Sequence, residues 1–165
     1  MNDLLHNLIE ALREELKQYG EMLAVLEQQQ DSVVQRQATE LLQNISQSSA
    51  QGDIIAAVRH ERGQHQRNVA RMLSLDEAAT FAAIIPRLPA DYRPLVQALV
   101  QENNELLVRV HNRARQNHLL LSHAVELMQQ LIDSLLPGGS VKTYDKSGRL
   151  PASHSPSYSL YESVG

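Results

Sequence analysis

The sequence predicts an all-α protein, an elongated antiparallel three-helix bundle or coiled coil with a short helical connector and a flexible C-terminal tail. Three observations carry this. Residues 91–136 contain no glycine and no proline after Pro94, so nothing interrupts a helix there. Two apolar seams run along that stretch in steps of 3 and 4. Aromatic residues make up only 4% of the chain, with no Trp and one Phe, so the core must come from aliphatic side chains, which suits helix-on-helix contact.

The first seam runs from Val96 through Leu99, Asn103, Leu106, Val110, Arg113 and Asn117 to Leu131. The second runs from Val100 through Asn104, Leu107, His111, Ala114, His118, Leu121, Val125, Met128 and Ile132 to Leu135. They are offset by about 100°, one residue's rotation on an α-helix. A helix with two adjacent seams can pack against two partners, so this stretch reads as the helix shared by the bundle.

The other elements follow in chain order. Asn2 or Asp3 can cap a first helix, 3–29, in which Leu5, Leu8, Leu12, Leu16, Tyr19, Leu23 and Leu26 form one stripe. The polar run 28–32 predicts a tight reversal near there, with a continuous helix as the alternative. A second helix, 32–73, begins with Val34, Ala38, Leu41 and Ile45 on one face, thins at Ser48, Ser49, Ala50 and Gly52, and is polar nearly all round over 59–71. Ser74 with Glu77 three residues on has the capping-box spacing, which predicts a short helix within 75–86, ended by Pro86 and Pro89. Its apolar Phe81, Ile84, Ile85 and Leu88 suit a cap over one end of the bundle. Pro94 falls in the first turn of the long helix, where a missing N–H costs nothing. Pro137, Gly138 and Gly139 stop that helix, giving a bundle over 1–136 and a tail over 137–165. The tail is rich in Ser, Pro and Gly and holds Tyr144, Tyr158 and Tyr161, three of the chain's five tyrosines. Tyrosine is a good contact surface with low entropy cost, so the tail reads as sticky.

In an up, down, up arrangement the first and third long helices are parallel. Acids between residues 10 and 31 (Glu10, Glu14, Glu15, Glu21, Glu27, Asp31) then share a level with Arg109, Arg113 and Arg115, and interhelical ion pairs are expected.

Totals narrow the function. A chain of 165 residues suggests one domain. The absence of cysteine excludes disulfides and thiolate metal sites. No apolar run approaches a membrane span, the N-terminus lacks a basic signal region, and the net charge of -4 argues against bulk nucleic-acid binding. The expectation is a cytoplasmic protein without membrane insertion.

Candidate chemical sites reduce to structural readings. His60 and His65 flank a segment one residue too long for the zinc-protease HExxH, and at i and i+5 they do not share a helix face. His111 and His118 share a face but stand about 10 Å apart along a helix. With Asn103, Asn104 and Asn117 they read as polar layers that set register. Arg59, Arg62, Arg67 and Arg71 form a basic patch, but no aromatic residue is interleaved, so a solvated face outweighs phosphate contact. No phosphate loop, nucleophile elbow or paired-acid site is present. No catalytic, cofactor-binding or metal residue is assigned, and neither a cofactor nor a small-molecule substrate is expected. The residues alone lead to a helical bundle that binds rather than catalyses.

The chain resembles the FlgN family of flagellar export chaperones over nearly its full length. Leu4, Leu5, Leu8, Glu10, Leu12, Leu16 and Glu21 look like that family's leucine-rich first helix. Residues 117–122, Asn-His-Leu-Leu-Leu-Ser, followed by Leu127, Leu131 and Ile132, are similar to its asparagine-leucine-serine segment. The glycine-containing break and then Thr143, Tyr144, Asp145 and Gly148 match the order of its C-terminal region. Pro151, Pro156 and the Gln- and His-rich second helix depart from the pattern. The resemblance implies a non-enzymatic chaperone that binds C-terminal helical segments of hook-filament junction proteins. It would prevent their premature assembly and deliver them to the membrane protein of the flagellar type III export gate, with the export ATPase as a further partner. It attributes cargo binding to the late part of the last helix and the tail, and associates a tail tyrosine, by position Tyr144, with the gate. The expected partner-binding residues are Asn117, Leu121, Val125, Met128, Ile132, Leu135, Val141 and Tyr144. Leu121 through Leu135 read equally as bundle core, and the competing class is a structural or regulatory coiled-coil protein with no export role.

Overall fold

The structure, a computed structural model, describes residues 2–135. They form α1 (Asn2–Val34), α2 (Ala38–Met72), α3 (Phe81–Ile84), a 3-10 turn (Ile85–Arg87) and α4 (Arg93–Leu135), with no strand among the described residues. The chain divides into two units, Met1–Glu126 and Leu127–Gly165.

The first unit is an all-α bundle. α1 and α2 are antiparallel and approach most closely: as the chain climbs α1 from Glu15 to Ser32, its partners descend α2 from Arg62 to Asn44. α1 and α4 are parallel. Asn103 donates to the carbonyl of Leu12 and Asn117 to that of Leu26, and both pairs are 91 positions apart in the chain.

The shared helix is α1, not α4. Twelve residues of α1 are buried, against four on α2 and four on α4. Burial on α4 is confined to the first seam and runs only as far as Asn117, through Val96, Leu99, Asn103 and Asn117. Asn104, His111, Ala114 and His118 of the second seam are exposed. The physical reason lies in α2, whose polar circumference offers no apolar stripe to draw that seam in.

The apolar core sits at one end. Leu5, Leu8, Ile9 and Leu12 of α1 meet Val69 and Ala70 of α2, Val96 and Leu99 of α4, and Ile84 and Leu88 of the connector. Each such fully buried aliphatic side chain stabilises the unit by about 1.5–3 kcal/mol relative to exposure. The connector therefore caps this end.

Two turns differ from expectation. The first reversal comes at 35–37, not at 28–32, because Gln29 and Ser32 are buried between helices rather than capping one. Arg36 takes the left-handed conformation (φ 57°), Arg36 N–H donates to Val33 O, and Gln37 N–H donates to Ser32 O. These are the two bonds of a Schellman ending, made without its usual glycine. Ser74 (φ 55°) closes α2 the same way, through Ser74 N–H to Arg71 O and Leu75 N–H to Ala70 O. It is a C-terminal stop and not the N-cap of a following helix. Asp76 Oδ1 accepts from Ala78 N–H at 2.7 Å, making a turn, and Glu77 pairs with Arg71. The short helix is thus only Phe81–Ile84, prolonged by the 3-10 turn.

Candidate docking surface

α4 outruns its partner. With the 91-position offset, the last residue of α1, Val34, is level with Val125. From Leu119 onward the apolar side chains of α4 are open in the first unit: Leu119 and Leu120 are exposed, Leu121 is half-buried, and Val125 is 67% exposed. In the second unit the described residues continue α4, and Leu127, Met128, Leu131, Ile132 and Leu135 are all exposed, Leu135 at 70%.

Of the expected partner-binding residues, Val125, Met128, Ile132 and Leu135 are exposed and Leu121 is half-buried. Asn117 stands apart from them. It is 2% exposed and its amide nitrogen donates to Leu26 O at 2.6 Å and Gln29 Oε1 at 2.9 Å, so it faces α1. Val141 and Tyr144 lie outside the described residues. Asn117 apart, the α4 residues expected to meet a partner all lie on the second seam, whereas Leu120, Leu127 and Leu131 of the first seam are exposed as well. Aligning the lengths of α1 and α4 was the signal available for that.

The basic patch on α2 is partly folded inward. Arg62 Nε donates to the buried carboxylate of Glu15 at 2.9 Å, and its guanidinium lies 5.7 Å from the Phe81 ring centroid. Arg59 is 3.9 Å from the same carboxylate, and Arg71 pairs with Glu77 at 2.8 Å. Tyr19 donates its hydroxyl to Glu15 at 2.8 Å; burial first, and then this bond, pushes the phenol pKa well above its usual value. This cluster was missed, although Glu15 stands on the leucine stripe between Leu12 and Tyr19, where a charge needs a partner. Of the three arginines expected opposite the acids of α1, Arg113 reaches them, donating to Gln30 and lying 3.9 Å from Glu27, while Arg109 and Arg115 are exposed.

His65 is 3.8 Å from Glu61 on its own helix, and His111 and His118 are exposed. Among the described residues no group of three metal-ligating side chains converges, and no helix is long and apolar enough to cross a membrane. An open apolar helix end is a surface for another helix, since amphipathic segments are bound by laying apolar faces together.

A family model described as FlgN protein matches residues 1–152. No curated protein and no solved structure matches the chain.

Proposed function

Because the chain belongs to the FlgN family, whose members are flagellar export chaperones and bind hook-associated cargo, we infer that it is a cytoplasmic carrier of C-terminal helical segments of the hook-filament junction proteins. The observation that carries this reading is the run of exposed apolar side chains at the end of α4. Large exposed apolar patches mark interaction sites.

The residues assigned to cargo are Leu121 and Val125 in the first unit and Met128, Ile132 and Leu135 in the second, with Val141 and Tyr144 from beyond the described residues. A junction-protein helix with its own apolar stripe associates with its copies when free. Covering that stripe prevents early assembly, and release at the export gate returns it. Tyr144 acts in docking at the gate, and the export ATPase is a further contact. The family is one of chaperones and not of enzymes, and the chemistry here is binding. The inward engagement of Arg62 also weakens the case for a nucleic-acid surface on α2.

Truncation after Leu136 tests the reading. Titration of the full chain with C-terminal peptides of junction proteins should give a negative heat-capacity change, the mark of apolar burial. The truncated chain should keep its circular dichroism and lose the binding. Unchanged binding by the truncated chain removes the C-terminal segment from the mechanism, and no binding by the full chain removes the carrier role. Tyr144→Ala should bind cargo normally and fail to bind the gate protein.

A further inference from the structure

α2 and α4 do not close over α1. Within the first unit a cleft of about 720 Å³ stands between them. Its floor is Leu12 and Tyr19 of α1, and half-buried Phe81, Ile85, Val100 and Leu107 give it an apolar lining. Along α4 it reaches from Gln97 to Leu107, about 15 Å or three helical turns.

Its two walls carry charges of opposite sign, Arg59 on α2 and Glu105 on α4. At the foot of the α2 wall, the Glu15 carboxylate of α1 is already engaged by Arg62 at 2.9 Å and by Tyr19 at 2.8 Å. Arg59, 52% exposed and 3.9 Å from that carboxylate, is a second cation on one buried anion. On the α4 wall, exposed Glu105 accepts from Gln101 at 2.9 Å and makes no ion pair among the described residues. The cleft also borders Asn103, whose buried Oδ1 has no hydrogen-bond partner.

We propose that this cleft seats an amphipathic helix of a partner protein, about three turns long, whose apolar stripe faces Leu12, Val100 and Leu107 and whose flanks carry an acid toward Arg59 and a base toward Glu105. A helix fits better than a small ligand because the cleft is long, open and walled by two helices, like the vacant position of a four-helix bundle. The site is separate from the end of α4 and does not depend on it.

The probe is a synthetic amphipathic helix of 21 residues with a leucine stripe, one glutamate flank and one lysine flank, added to the full isotope-labelled chain. Peptides with both flanks acidic or both basic serve as comparisons. The mixed peptide should bind the tightest, with amide shifts at Phe81, Val100 and Leu107. Arg59→Glu and Glu105→Lys should each weaken it about fivefold, the scale of one exposed ion pair. The double variant should restore binding, because its walls are again opposite in sign and the helix can enter in the reverse direction. Glu105→Lys carries the test alone if Arg59→Glu loosens the fold beside Glu15. Val125→Asp should leave this binding unchanged, which keeps the outcome apart from that of the cargo seat. Equal binding of all three peptides, shifts confined to Val125 and its neighbours, or the same shifts on concentrating the chain alone would each overturn the proposal, the last by making a second copy the occupant.

Discussion

Asn103 on α4 donates its side-chain amide to the main-chain carbonyl of Leu12 on α1 at 2.9 Å, from a position only 5% exposed. Asn117 repeats the bond to Leu26 at the same offset, and in both residues the amide oxygen is buried without a partner. A polar side chain that satisfies half its bonding capacity stabilises little. It does penalise any sliding of α4 along α1, which would strand the amide nitrogen too.

Replacing both residues with leucine, Asn103→Leu and Asn117→Leu, should therefore leave stability unchanged or raise it, while loosening register. Spin labels at exposed Glu21 and Asn112, which are level on α1 and α4, report this. A narrow distance distribution in the parent should broaden in the double variant. A distribution that stays narrow would show that apolar packing alone sets the alignment.

Glu15 is buried with two arginines and a tyrosine around it. Glu15→Ala should cost on the order of 2 kcal/mol in urea unfolding. That is below the usual cost of breaking a buried pair because Arg59 and Arg62 keep some access to water. Adding Arg62→Met should recover part of the loss, and a purely additive double variant contradicts the coupling.

Tyr19 gives a pH dependence whose sign follows from its raised pKa. The unfolded phenol ionises near pH 10, and the folded one only above that. Stability is full below about pH 10 and falls as pH climbs further, by up to about 1.4 kcal/mol per pH unit, until the folded phenol ionises. Tyr19→Phe should lose about 1 kcal/mol at neutral pH and flatten this alkaline decline. Melting temperature against pH for the two proteins is the measurement, and parallel curves would assign the decline elsewhere.

Arg36 and Ser74 hold left-handed conformations that cost a side-chain-bearing residue about 1 kcal/mol or more. Arg36→Gly and Ser74→Gly should each raise the unfolding free energy from urea titration by a comparable amount. A drop of that size would mean that the greater freedom of glycine in the unfolded chain outweighs the relief of strain.

At the end of α4, Val125→Asp, Met128→Asp and Ile132→Asp should each change stability by no more than about 0.5 kcal/mol, as exposed positions do. Were these residues core, truncating them would cost about 2–5 kcal/mol. The same variants should weaken binding of junction-protein peptides at least tenfold, and full retention of binding would move the seat off these residues.

Most of the fold was legible in the chain. Periods of 3 and 4 in the leucine stripe of α1 and along α4, with the rarity of rings, determined an all-α bundle, since local side-chain spacing decides which helix faces need cover. The parallel relation of α1 and α4 was legible too, from the up, down, up reading of three long helices, which sets the acids of α1 level with Arg113 of α4. What the sequence could not settle was which face meets which neighbour. Two seams on α4 looked like two partners, yet α2 is too polar to draw in the second, so α1 became the centre and a cleft stayed open beside it. Likewise Ser74 carries the letters of a cap at either end of a helix, and only the surrounding packing made it a stop. Burial is a property of pairs of surfaces, and a single sequence specifies each surface without saying whether the other arrives.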